Sequence, residues 1–163
     1  MKRAVSTLAV MFLSAVCSMA QSDAAKAFEK LKSLQGTWAG VNPEGAKMRT
    51  TYRLTAAGSV LMADVGEGTS MEMVTMFHLD GDRLMLTHYC SAKNQPRMTA
   101  KISPDLKTIS FNFLDATNVP DPKAGHMHDA VFTFVDSQHY TEEWTWTEAG
   151  KASKHRIELQ REK

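Results

Sequence analysis

The stretch Met71-Glu72-Met73-Val74-Thr75-Met76-Phe77-His78-Leu79-Asp80-Gly81-Asp82-Arg83-Leu84-Met85-Leu86-Thr87-His88-Tyr89-Cys90 decides the fold class. Two strand-like runs, 71–79 and 83–90, flank Asp80-Gly81, the strongest short hairpin signal in the chain. The same grammar continues on both sides. Upstream, a strand over 37–41 closes at Asn42-Pro43-Glu44-Gly45, and a second, over 48–55, sets Met48, Thr50, Tyr52 and Leu54 against Arg49, Thr51 and Arg53. That alternation gives one apolar and one wet face. Ala57-Gly58 turns the chain into a strand over 59–65, and Gly66-Glu67-Gly68 turns it again. Downstream, strands over 97–102, 108–114, 128–135, 140–147 and 153–160 are separated by three short breaks and one long loop. The short breaks are Ser103-Pro104-Asp105, Asp136-Ser137 and Glu148-Ala149-Gly150; the loop runs through Pro120, Pro122 and Gly125.

About ten strands at near-regular spacing, joined by short turns, form antiparallel neighbours. A sandwich and a barrel both satisfy that pattern, and a meander of this length closes most simply into an up-and-down barrel, which removes its exposed edges. One helix is predicted, over 22–35: Ser22 caps it, Asp23 suits its N-terminal dipole and Gly36 ends it. Ala24, Phe28, Leu31 and Leu34 share one of its faces, so the stripe needs cover, and the helix is expected to plug or flank one mouth of the barrel. The predicted fold is all-β, a ten-stranded antiparallel barrel with one short N-terminal helix.

The N-terminus predicts export. Lys2 and Arg3 precede an apolar run over 8–16, and Ser18-Met19-Ala20 ahead of Gln21 supplies the small-x-small pattern of a cleavage site. Residues 1–20 read as a signal peptide and 21–163 as a single barrel domain, periplasmic or secreted, with no transmembrane anchor after processing. Cys17 lacks the usual lipobox context, since Ser14 and Val16 occupy the preceding positions. Without the leader, 17 Lys and Arg face 18 Asp and Glu, a formal charge of −1. No basic run stands out, which sets nucleic-acid binding aside. Cys90 is then the remaining cysteine, so no internal disulfide is available.

The segment Leu34-Gln35-Gly36-Thr37-Trp38-Ala39-Gly40, directly after the short helix, resembles the opening of calycin barrels, the superfamily of lipocalins, fatty-acid-binding proteins and nitrobindin-like haem proteins. The resemblance implies that Trp38 closes the barrel floor and that the interior holds a ligand. Three more stretches resemble an uncharacterised family of exported bacterial lipocalin-like proteins: His88-Tyr89-Cys90 with Asn94-Gln95-Pro96-Arg97, Gly125-His126-Met127-His128, and Glu143-Trp144-Thr145-Trp146. That family implies a fold and a compartment but no reaction. Nitrobindin-like proteins place a haem-ligating histidine near the chain end, which draws attention to His155, whose parity matches Ile157 and Leu159. After Gly40, however, the chain runs Val41-Asn42-Pro43 and lacks the further glycine of that motif.

His88 and Cys90 stand two apart on one strand, as do His126 and His128 on another, the latter in phase with Phe132 and Phe134. As polar cavity residues they anchor a ligand head group; as soft and borderline ligands they hold a transition metal, provided the two strands meet. Arg97 is placed to fork a carboxylate or phosphate. Trp144, Trp146 and Tyr140 share parity with Glu142, giving an aromatic wall with one acid. Among eleven methionines, Met71 and Met73 share a face that Met76 does not, which suits an adaptable apolar cavity better than a single Cu(I) set. No nucleophile elbow, phosphate loop or His-Glu-x-x-His occurs, and His88 is about 6–7 Å along the strand from Cys90, too far to activate its thiol. The expected function is binding of a small, mainly apolar or amphipathic molecule by Trp38, Tyr52, His88, Arg97, His126, His128 and Trp144. The alternatives are a metal at His88, Cys90, His126 and His128, haem at His155, or an enzyme using Cys90 and a histidine; no cofactor is demanded by the sequence.

Overall fold

Residues 21–42, 45–121 and 123–163 are described by the computed structural model. The expected leader over 1–20, Cys17 with it, lies outside the described residues, as do Pro43, Glu44 and Pro122 of two expected turns. Ser22 caps the helix as its side chain predicts: Oγ accepts the Ala25 amide at 3.2 Å, and α1 (Asp23–Lys32) follows. The helix stops short of residue 35 because the amides of Ser33, Leu34 and Gln35 bond back three residues, to Lys30, Leu31 and Lys32, which tightens the last turn. Ala24, Ala27, Phe28 and Leu31 form its buried face.

Ten strands follow: β1 (Gly36–Val41), β2 (Lys47–Thr55), β3 (Val60–Val65), β4 (Met73–Asp80), β5 (Arg83–Tyr89), β6 (Gln95–Ile102), β7 (Thr108–Thr117), β8 (His126–Phe134), β9 (His139–Glu148) and β10 (Lys151–Arg161). Each pairs antiparallel with its sequence neighbours, and β1 also pairs with β10, so the sheet closes on itself. The central hairpin forms as read, with Asp80 opposite Arg83 and the two-residue loop between them entered through Gly81 at φ 57°. A positive φ at the first loop residue is cheap for glycine, and it matches the twist of the flanking strands.

Alternation then sorts the side chains. Thr50 and Tyr52 of β2, Leu61 and Ala63 of β3, and Leu84 and Leu86 of β5 are buried inside. Phe77, Phe111 and Phe132 fill the middle of the barrel, with ring centroids 5.5 to 5.8 Å apart in tilted and edge-on contacts. The helix lies across one end, packed on β4, β5 and β6. There Trp38, 1% exposed, donates its indole N–H to the Leu34 carbonyl at 2.6 Å and meets Tyr140 edge-on at 4.7 Å. The expected floor is in place. Two β-bulges, at Arg97/Met98 in β6 and at Met127/Asp129 in β8, interrupt the alternation near the opposite, open end.

Closure depends on a close approach at Gly40, opposite Leu159, where a Cβ would stand 2.3 Å from the Glu158 carbonyl oxygen. The obstacle is backbone of the partner strand, so it cannot rotate away. Gly40→Ala is expected to lower the unfolding free energy by about 1–3 kcal/mol, read as a shift of the urea midpoint at unchanged slope.

Candidate functional site

The filled half of the barrel leaves a cavity of about 140 Å³ at the open end. Met48, Val65, Met73, Met127, Trp144 and Ile157 supply its apolar wall, and Asn42, Thr50, Thr75, His88, Glu142 and His155 its polar groups. It is comparable to the ~150 Å³ that encloses benzene, and well below the ~300–1,000 Å³ of pockets for drug-sized ligands. No lysine or arginine is among these residues.

Two groups dominate its chemistry. His88 on β5 is 3% exposed, and the hairpin register sets Thr75 directly across from it. Its Nδ1 lies 2.9 Å from Thr75 Oγ1, while Nε2 is buried without a hydrogen-bond partner. Burial lowers its pKa to about 4, so the ring is neutral at ordinary pH. Its ring packs 4.9 Å from that of Trp144. Glu142 on β9 is 4% exposed, and three neutral donors converge on it. Tyr52 and Tyr140 give their hydroxyl hydrogens to Oε1 at 2.7 and 2.8 Å, and the Trp144 indole gives its N–H to Oε2 at 2.8 Å. Burial and the adjacent Glu142 carboxylate raise both phenol pKa values well above the ordinary, which keeps them as donors. A buried acid so surrounded is satisfied without a counter-cation.

Of the side chains singled out from the sequence, His88 and Trp144 line this cavity, and Trp38 and Tyr52 support it from below. His155 reaches the cavity rim from β10, opposite Trp144 in the register, as its parity predicts, and is exposed there. Arg97 does not enter the cavity. Met98 next to it takes the inward position, so Arg97 points out and forks Asp115 on β7 through Nε and a terminal nitrogen. The carboxylate it holds belongs to this chain. His126 and His128 do not line the cavity either, because the bulge at Met127/Asp129 shifts the phase by one residue and puts Met127 on the wall. They flank Phe113 instead, with Nδ1 of His126 bonded to the Ala124 carbonyl and that of His128 to Asp129. Cys90 follows β5 in the turn to Asn94, half-buried and unbonded to sulfur. The His88/Cys90 pair and the His126/His128 pair therefore do not combine into one set. Among the described residues no group of three or more His, Cys, Asp or Glu side chains is placed to hold a metal ion.

Thr75 and the carboxylate network escaped the sequence reading. Counting five residues back from Asp80 and five forward from Arg83 pairs Thr75 with His88, so the hairpin itself carried that signal. Glu142 was visible only by parity with Tyr140 and Trp144; its third partner, Tyr52, comes from a strand ninety residues earlier. A broader groove runs outside the barrel between β9, β10, β1 and β2, lined by Val41, Arg49, Thr141 and Arg156 among others. It is open to solvent and none of the buried unpartnered polar atoms belongs to it, so the mouth cavity is the candidate site.

No protein-family model matches the chain, and no curated protein matches it. Solved structures do. The crystal structure of Rv2717c from M. tuberculosis aligns with a TM-score of 0.52 at 15% identity, over 85% of this chain and 99% of that one. A protein of unknown function from the DUF3598 family, from Nostoc punctiforme, aligns with a TM-score of 0.53 at 12% identity over 81% of this chain and 49% of that one. This chain thus spans about half the length of the second structure. The structure of EF1p2_mFAP2b bound to DFHBI aligns at a TM-score of 0.40 with 10% identity. The likeness to the first two is one of fold, and it fits a calycin-like barrel.

Because His88 resists protonation in the folded chain but titrates near 6.5 when unfolded, unfolding takes up a proton at any pH between about 4 and 6.5. Stability from this group is complete above 6.5 and is lost as the pH falls toward 4. Between pH 7 and pH 4.5 the wild type is expected to lose about 2–3 kcal/mol more than His88→Phe, compared by urea unfolding at each pH.

Proposed function

We propose that this chain is an exported small-molecule-binding barrel of the calycin kind, which takes one compact, mainly apolar ligand into its mouth cavity. The observation that carries the reading is His88: a neutral imidazole on the cavity wall, fixed through Nδ1, with a buried Nε2 that has no protein partner. Leaving such a group unpaired costs about 1–3 kcal/mol, a cost that a ligand reaching it would remove. The thioethers of Met48, Met73 and Met127 suit a wall that adapts its shape to the occupant. Export rests on the leader pattern over 1–20, and kinship with the exported bacterial lipocalin-like proteins on the three stretches around His88, His126 and Trp144.

The cavity sets the ligand's size. At about 140 Å³ it admits a ring the size of benzene with a short substituent, but neither a long acyl chain nor a tetrapyrrole. Haem therefore does not fit the interior as built, although His155 stands at its rim. A thiol enzyme gains no support either, since no histidine bonds the Cys90 sulfur among the described residues.

Untagged protein recovered from a bacterial periplasm is expected to begin at Gln21 and to carry, in a native mass spectrum, an organic adduct of roughly six to ten non-hydrogen atoms. The adduct should disappear in a folded His88→Phe variant and persist in Arg97→Ala. An adduct retained by His88→Phe would place the ligand elsewhere, and an intact Met1 terminus would refute cleavage after Ala20.

A further inference from the structure

We infer that the ligand of the mouth cavity is a small organic cation, an aromatic or alkyl amine in its protonated form. The inference rests on the binding role given to that cavity and deepens it by naming the chemical class. Its first support is charge: Glu142 is the one carboxylate among the lining residues, and no lysine or arginine accompanies it. All three groups that bond it are neutral donors, two phenols and an indole, so its negative charge is solvated but not cancelled. A charge as buried as that of Glu142, 4% exposed, acts on a neighbour much more strongly than one in water. It attracts a cation, leaves a neutral isostere indifferent and repels an anion.

The second support is the direction in which hydrogen bonds can run. Glu142 Oε1 already takes two hydrogens, but Oε2 takes only the Trp144 N–H and retains accepting capacity. In the tautomer that donates its Nδ1–H to Thr75 Oγ1, His88 leaves its buried Nε2 as an unpartnered acceptor. Thr50 and Thr75 add hydroxyl oxygens. In that tautomer a carboxylate oxygen, an imidazole nitrogen and two hydroxyl oxygens can all accept, which suits an ammonium group with two or three N–H bonds to give. The third support is the face of Trp144, which lines the cavity between His88 and Glu142 and can stack on a ring or sit beneath a cation. Met48, Met73 and Met127 supply the apolar remainder.

The test compares three probes of one shape, benzylamine, benzyl alcohol and benzoate, titrated at pH 7 into the protein as purified from the periplasm and stripped of adduct by dialysis. Binding is read by calorimetry and by the summed tryptophan emission, to which Trp144 contributes. Benzylamine should bind at least tenfold more tightly than benzyl alcohol, and benzoate should not bind. In Glu142→Gln, checked for folding by circular dichroism, the preference for the amine should fall below threefold. Equal or tighter binding of the alcohol or of benzoate would overturn the cation while leaving the binding cavity standing. No binding of any probe would overturn both. If Glu142→Gln does not fold, the wild-type series decides alone, because the order of the three affinities needs no variant.

Discussion

Everything in this barrel is referred to the clamp beneath Trp38. The guanidinium of Arg161, from the last strand, sits 4.3 Å from the Trp38 ring centroid and donates to the carbonyls of Gln35 and Ser33, each at 2.6 Å. Trp38 in turn donates to Leu34. First strand, last strand and helix end are therefore one contact: cation over ring, with two carbonyls just beyond α1 taken up by a charged fork. Gly36 makes room for it, with φ at 111° and an absent Cβ that would lie 3.0 Å from an Arg161 nitrogen. Without that clamp the amphipathic face of α1 has no fixed seat, and the β1–β10 seam, only four residue pairs long, would have little else to register it.

From this floor a line of contacts climbs to the mouth. Trp38 packs on Tyr140, Tyr140 bonds Glu142, Glu142 holds the Trp144 indole, and Trp144 lies against His88. Each member is buried, so a displacement of one is passed to the next instead of being absorbed by solvent. The phenylalanine trio beside this line fills the volume that a long ligand would need. The closed ten-stranded barrel thus keeps only a compact cavity at its open end, with one carboxylate and one neutral imidazole among its lining residues.

The strands were legible because turn chemistry and alternation are local. Asp80-Gly81, the Ser103-Pro104-Asp105 break and the alternation of Met48, Thr50, Tyr52 and Leu54 each act within a few residues, and all ten predicted strands form within three residues of the expected bounds. The site was legible only where that phase stayed unbroken. His88 and Trp144 line the cavity, as their parity predicts, from strands without a bulge before them, whereas His155 reaches only its exposed rim. His126 and His128 were misplaced because one extra residue at Met127/Asp129 inverts the faces beyond it. Arg97 failed for a related reason: it stands at the other bulge, and its partner Asp115 lies eighteen residues away on β7.

The sequence by itself determined an all-β chain, a capped helix ahead of it and most strand faces, because each follows from dihedral preferences and from a period of two; the floor position of Trp38 was implied by the resemblance of its segment to calycin barrels. Only the tertiary structure decided how much of the interior stays empty, that Tyr52, Tyr140 and Trp144 converge on one carboxylate, and that the second histidine pair stands apart from the first. Those depend on bulges, on side-chain volumes summed across the barrel and on contacts up to ninety residues apart. No local preference encodes them; they exist once closure brings the strands together.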